Sequence, residues 1–260
     1  MTILSSREAG PADGPPVVLL HGYPESSYMW REILPALAAE SHRALAPDLL
    51  GYGDSPVDRP HTWARQIAAF DAWVQQQALD PFVLVVHDWG GLIGLRWACD
   101  HPEAVRGLVI SDTGFFADGR WHGLAEAMQT PEQGEQLVDG MTRESFGQLL
   151  GAVSTGIGDD ALDEYFRAFA DEDRRRGQLE LYRSGDFAEL ARYEGRLAQL
   201  GVPALILSGA DDPFAPVASA ERFQREIPGS ELVVLEGTGH FAVEDDPEAY
   251  AAALLRFLRR

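Results

Sequence analysis

The sequence predicts an α/β protein, a doubly wound and mostly parallel sheet interrupted by one all-helical insertion. Three observations carry that reading. Short apolar runs of strand length alternate with helical stretches in the first part of the chain and again after residue 196, as βα units require. Between them, residues 115–195 contain no convincing strand. One run, Phe82-Val-Leu-Val-Val86, passes through His87 and Asp88 into Gly90-Gly91 and then a helical stretch, Leu92 to Ala98. The expected organisation is a core in two parts, 1–114 and 196–260, with a helical cap at 115–195.

The elements follow in order. Residues 1–8 read as an edge strand, and Gly10 to Pro16 as a turn. Val17 to Leu20 is a buried strand ending at His21-Gly22-Tyr23-Pro24. Ser26 or Ser27 caps a helix running to about Glu40. Ala44 to Pro47 is the next strand, a loop follows to Pro56, and a helix spans about Thr62 to Leu79. After the glycine-rich turn and its helix, Val105 to Ile110 forms a strand ending at Ser111-Asp112, the sixth in the usual count for such sheets. Helical spacing in the insertion covers Gly123–Gln129, Thr142–Val153, Asp160–Ala170 and Gly177–Tyr182. Alternation resumes with Pro203 to Ser208, a helix near 216–226, the strand Glu231–Leu235 and a closing helix from Pro247. The insertion is placed to roof the C-terminal strand ends, where open α/β sheets bind ligands. Its charged run, Asp159-Asp160 through Asp171 to Arg176, reads as a solvated helix face and turn.

Bulk properties narrow the function classes. With 45% hydrophobic and 24% charged residues, this is an ordinary soluble globular composition. A net charge of −20 argues against nucleic acid or an anionic membrane as partner. The single cysteine, Cys99, cannot form an intramolecular disulfide; it points to a reducing cytoplasm and is expected as a small buried side chain. No basic-plus-apolar leader is visible, and no apolar run approaches the ~18 residues of a membrane span. No cofactor and no metal are expected, and monomer and dimer both stay open.

Three features fall at strand ends in the order nucleophile, acid, base. They are Asp88, then Gly209-Ala-Asp211-Asp212-Pro-Phe-Ala-Pro216, then Gly237-Thr-Gly-His240-Phe241. A strand feeding a helix through a tight turn with a reactive apex residue is a nucleophile elbow, and here the apex is Asp88 rather than a serine. A carboxylate attacking an ester gives a mixed anhydride, a poor intermediate. Attack on an sp3 carbon gives an alkyl ester that is stable enough to form and labile enough to hydrolyse. Asp88 therefore points to displacement at carbon, with a halide expelled or an epoxide opened. His240 is the candidate base that activates water, and an acidic side chain must orient it. The backbone N–H groups of Tyr23 and Trp89 are the candidate oxyanion donors. His21 and His87 are expected to pack loops.

The stretches His21-Gly-Tyr-Pro-Glu-Ser-Ser-Tyr-Met-Trp30, Ala46 to Ser55, His87-Asp-Trp-Gly-Gly91 and Gly237-Thr-Gly-His-Phe241 resemble the α/β-hydrolase superfamily. The resemblance extends over essentially the whole chain. It is to the Asp-nucleophile branch: haloalkane dehalogenases, epoxide hydrolases and fluoroacetate dehalogenases. It implies the α/β-hydrolase fold. Val86 stands where many esterases have the first elbow glycine, and a valine suits a strand end. Asp212 fits the family spacing Gly-x-x-Asp-x-x-x-Pro and is the implied acid, with Asp211 its solvated neighbour. Asp112 is the rival, because some dehalogenases place the acid there.

The leaving-group residues are also implied by resemblance. Trp89 resembles the first halide donor of the dehalogenases. The stretch Asp88 to Arg96 resembles the subfamily that takes its second donor from a cap tryptophan, and Trp121 is the only tryptophan in the insertion. Its position is early for that role, so packing is the alternative. Tyr23 stands where other subfamilies carry an asparagine donor. Leu179-Glu-Leu-Tyr182-Arg183 resembles the epoxide-hydrolase cap motif, shared with fluoroacetate enzymes, and Tyr165 would be a second cap tyrosine. Fluoroacetate enzymes want arginine directly after the nucleophile, where this chain has Trp89. The leading expectation is hydrolysis of a small apolar haloalkane by water. Epoxide hydrolysis is the alternative. A non-catalytic small-molecule receptor on the same fold is more remote, since it need not keep nucleophile, base and acid together, and Asp at the apex disfavours an ester or lactone hydrolase.

Overall fold

The computed structural model describes residues 3–260. Among the described residues, seven strands form one sheet: β1 (Ser6–Ala9), β2 (Pro16–Leu20), β3 (Arg43–Pro47), β4 (Phe82–His87), β5 (Val105–Ser111), β6 (Ala204–Gly209) and β7 (Glu231–Leu235). Their order across the sheet is β1-β3-β2-β4-β5-β6-β7. β1 is antiparallel to β3, and every other pairing is parallel. The expected edge strand thus begins later than anticipated, and Met1 and Thr2 lie outside the described residues. The central strand β4 is buried at all six positions, as a strand covered by helices on both faces must be.

Helices α1 (Ile33–Ala39), α2 (Trp63–Gln77) and α3 (Trp89–Asp100) alternate with the first strands. α2 buries Trp63, Gln66, Ala69, Phe70, Trp73 and Val74, one stripe at helical spacing, and Thr62 caps it by accepting the Arg65 N–H. α3 is different: every residue from Trp89 to Cys99 is buried. It starts at Trp89 rather than Leu92, because the two glycines belong to its first turn. A Cβ on Gly90 would stand 2.6 Å from the Leu20 carbonyl oxygen, so glycine is what lets α3 lie this close to β2. Cys99 is buried here, and burial pushes its thiol up to about 12. The helix expected from Ser26 to Glu40 divides into a 3-10 turn at Ser27–Trp30, capped by Ser26, and then α1.

Between β5, the fifth strand among the described residues, and β6 the chain is helical: α4 (Gly123–Gln129), α5 (Gln133–Asp139), α6 (Arg143–Gly151), α7 (Asp159–Phe166) and α8 (Glu172–Arg183), with α9 (Arg196–Gln199) just before β6. Four of these depart from expectation: α7 ends at Phe166 with a 3-10 turn at Arg167–Phe169 in place of helix to Ala170, α9 was not anticipated, and α5 and α8 differ as follows. α5 buries only Gly134 and Val138, too thin a stripe to be read from spacing. α8 begins five residues before the expected Gly177, because its first turn is polar all round and is fixed by Asp171 accepting the Arg174 N–H at 2.8 Å. The charged run is not simply solvated. Arg175 and Arg176 both pair with Asp139 on α5, and Arg174 donates to the Gly51 carbonyl. After β6, α10 (Val217–Glu226) leads to β7, and α11 (Ala242–Asp245) and α12 (Pro247–Leu258) close the chain. Among the described residues, no helix is long and apolar enough to cross a membrane.

Candidate active site

The site lies at the C-terminal ends of β2, β4, β6 and β7, under the helical insertion. Asp88 takes φ +46° and ψ −118°, a left-handed backbone that a non-glycine residue holds only when its surroundings enforce it. Its carbonyl accepts the Thr113 hydroxyl at 2.7 Å and the Gly91 N–H at 2.8 Å. The turn aims the carboxylate out of the sheet toward the loop after β2. There the Tyr23 N–H donates to Asp88 Oδ1 at 2.8 Å. Gly22 allows this approach, since a Cβ on it would stand 2.6 Å from that same oxygen.

The other carboxylate oxygen, Oδ2, is 3.6 Å from His240 Nε2. His240 Nδ1 is 2.8 Å from Asp212 Oδ2, and Asp212 Oδ1 accepts the N–H groups of Phe214 and Ala215 at 2.7 and 3.0 Å. Every acceptor of the buried Asp212 is therefore turned to a donor. Burial opposes charge on His240, but the Asp212 carboxylate and then Asp88 hold it well above the usual imidazole value. Burial likewise opposes ionisation of Asp88 and Asp212, and for each His240 outweighs it and holds the carboxyl below its usual range. In these directions Asp88, Asp212 and His240 each favour the charged form.

Asp112, the rival acid, is placed differently. Its oxygens accept the Gly209 N–H at 2.7 Å and the Ser111 hydroxyl at 2.9 Å. Burial, and then the charge of Asp212, push it up to about 8, so it is neutral beside the charged pair. Asp211 is exposed. His21 bridges the Leu49 N–H and the Gly22 carbonyl and so holds a loop, as expected, whereas His87 is buried with its Nε2 3.3 Å from Glu25 but, among the described residues, in no hydrogen bond. Burial, and then the charge on His240, bring His87 down to about 3.

Above Asp88 is a cavity of about 130 Å³ bounded by Trp89, Trp121, His122, Tyr182 and His240. A smaller lobe of about 30 Å³ continues past Asp88 and Tyr182 under Leu124, Leu150, Val153 and Phe241. The Trp89 and Trp121 rings stack with centroids 5.8 Å apart, and Trp63 packs edge-on against Trp89 at 5.4 Å. Among the described residues, Trp121 Nε1 is buried without a hydrogen-bond partner, an expensive state for an N–H in an apolar wall. Tyr182 packs edge-on to Trp89 at 5.0 Å, and burial first, then Tyr23 and Asp88, hold its hydroxyl protonated. Tyr165 does not reach the cavity; its hydroxyl donates to Glu244, in a cluster with Arg31.

Of the residues singled out from sequence, Asp88, His240, Asp212, Tyr23, Trp89, Trp121 and Tyr182 are brought together, and Asp112 lines the same cavity without touching His240 through a hydrogen bond. His122 and Phe214 were not anticipated. Phe214 lies edge-on to His240 at 5.0 Å. Its place two residues after Asp212 was the available signal. His122 adjoins Trp121 in sequence but carries no motif.

An elbow carboxylate facing a histidine–aspartate pair over a parallel sheet defines a hydrolase of the α/β-hydrolase class. The comparisons agree: the profile of the alpha/beta hydrolase fold matches residues 15–247. A haloalkane dehalogenase of Mycobacterium marinum is 45% identical over 95% of this chain and 86% of its own length. One from Psychrobacter cryohalolentis is 30% identical over 96% and 86%. The crystal structure of a haloalkane dehalogenase from Bradyrhizobium elkani superposes with a TM-score of 0.84 at 26% identity, covering 98% of this chain and 93% of that one. The chain belongs to the haloalkane dehalogenase family of α/β-hydrolases.

Proposed function

We propose that the protein hydrolyses small haloalkanes to alcohol and halide through a covalent ester on Asp88. The observation that carries this is a carboxylate at the elbow apex, with one oxygen on the Tyr23 N–H and the other beside His240. The free Asp88 oxygen attacks the carbon bearing the halogen; the O–C bond forms as the C–X bond breaks, and the electron pair leaves with the halide. The indole N–H groups of Trp89 and Trp121 receive that charge, and the orphaned N–H of Trp121 supports this assignment.

Esterification removes one of the two negative charges that favour the imidazolium. His240 then gives its proton to solvent and becomes the base that takes a proton from water. The resulting hydroxide attacks Asp88 Cγ. The tetrahedral oxyanion at Oδ1 is held by the Tyr23 N–H and by that of Trp89, the first residue of α3, whose N–H has no intrahelical acceptor. Collapse releases the alcohol and restores Asp88, for a net yield of alcohol, halide and one proton. Asp212 keeps the imidazole oriented throughout.

Epoxide opening is less well supported, because the other tyrosine lining the cavity, Tyr23, donates its hydroxyl to Gln178 at 2.8 Å and Tyr165 is committed to Glu244. The test is halide release from 1-bromobutane by the wild type, with His240→Gln analysed by mass spectrometry. The expected result is turnover by the wild type and, in the variant, a stoichiometric butyl adduct on the peptide containing Asp88. Diol formation from styrene oxide without halide release would replace this reading with epoxide hydrolysis.

A further inference from the structure

His122 has no part in the steps above, yet it stands where the two lobes of the cavity meet and lines both. Two contacts fix its ring. Nδ1 accepts the backbone N–H of Ala125 as the cap of α4, which in the neutral ring leaves the proton on Nε2. The ring lies against Phe214 with centroids 4.5 Å apart, and Phe214 in turn packs against His240. Among the described residues, Nε2 has no hydrogen-bond partner. Burial holds the ring below its usual value, so it remains a neutral donor at neutral pH.

Resting on the dehalogenase reading, we propose that His122 is a specificity-determining residue whose Nε2–H receives a hydrogen-bond acceptor on the substrate. The preferred substrate class is then a short haloalkane carrying a second heteroatom, such as a haloether, rather than a plain haloalkane. Size points the same way. An apolar cavity of about 150 Å³ accommodates benzene, so lobes of about 130 and 30 Å³ suit a chain of some five to seven heavy atoms. In a chain that short, an acceptor two or three atoms from the reacting carbon lies close to the junction of the lobes. An ether oxygen entering the cavity gives up part of its water. Without a donor it is penalised; with one, the loss is recovered, a difference of roughly threefold to tenfold in kcat/KM.

The experiment compares 2-bromoethyl methyl ether with 1-bromobutane, which have the same number of heavy atoms and the same leaving group. The ratio of their kcat/KM values is measured in wild type, His122→Phe and His122→Ser. Serine retains an acceptor for the Ala125 N–H and so protects the start of α4 if phenylalanine does not fold. The expected result is a fall in the ether-to-alkane ratio of about threefold to tenfold in each folded variant. A ratio unchanged within about twofold, with bromide still released from both substrates, overturns the role of His122 and leaves the dehalogenase reading intact. No bromide from either substrate in the wild type, and no adduct in His240→Gln, removes both.

Discussion

The sheet and the helical insertion hold themselves together by different means. Around the sheet, cohesion is apolar: β4 is buried at every position, α3 on every side, and Trp30, Trp73 and Trp97 are almost wholly enclosed. The insertion rests on smaller apolar contacts and on a lattice of arginine pairs. Arg175 and Arg176 hold Asp139, Arg183 holds Glu135, and Arg59 reaches from the core to Asp173 and Glu180 on α8. The division extends to the site. The sheet carries the candidate reacting groups, while the insertion carries the candidate neutral donors and apolar wall: Trp121, His122 and Tyr182. Chemistry that must be held within fractions of an ångström sits on the part with the deeper core. Recognition sits on the part that is easier to vary.

The largest effect belongs to the sheet. Asp88→Ala should lower bromoalkane turnover by on the order of 10⁴-fold or more, with the melting temperature shifted by only a few degrees, measured by halide release and calorimetry. Retained activity would show that the elbow carries no nucleophile.

Next is the choice between two neighbouring carboxyls. Asp212→Asn should cost roughly 10³- to 10⁴-fold in kcat, because His240 loses its charged partner and its orientation. Asp112→Asn should stay within about threefold near pH 7, since an amide resembles the neutral acid already present. The same variant carries a pH signature. Asp112 is raised from 3.8 to about 8 in the fold, so between those values the native state binds the extra proton. Its contribution to stability is thus lost as pH rises from about 4 to about 8. The stability of Asp112→Asn relative to wild type should therefore climb over that interval, as read from urea midpoints; a flat difference would place Asp112 among the ionised groups.

In the insertion, Trp121→Phe keeps the ring stack and removes one N–H. Bromide binding, followed by tryptophan fluorescence quenching, should weaken by roughly tenfold to a hundredfold, the value of a hydrogen bond to a charged partner. Unchanged binding would assign Trp121 to packing. The smallest effect is expected from the arginine lattice. Arg176→Met should change the unfolding free energy by less than about 1 kcal/mol, because Asp139 is largely in water. A larger loss would mean that the insertion depends on its ion pairs more than the sheet depends on any one of its own.

The two regions were also unequally legible. β2, β4, β5, β6 and β7 were placed to within a residue or two, because a parallel strand covered on both faces must be a short continuous apolar run, visible as such. Asp88 and His240 were singled out from their order at strand ends, whereas Asp212 was implied by the family spacing, with Asp112 as its rival. Within the insertion, Gly123–Gln129 was located to the residue, but α5 and the start of α8 were not. Their first turns are set by a thin stripe and by an Asp171 cap, signals that local periodicity does not carry.

Composition, strand pattern and residue order thus suffice for the class of fold and for naming a candidate carboxylate nucleophile and base, since those follow from local rules about burial and from the chemistry of an Asp at a turn. Whether Asp112 or Asp212 meets His240, whether Trp121 reaches the cavity, and that His122 sits between its lobes depend on distances between segments 25 to 155 residues apart, such as the Thr113–Asp88 and Tyr23–Gln178 contacts. Packing of the insertion against the sheet sets those distances, and no local stretch of sequence encodes them.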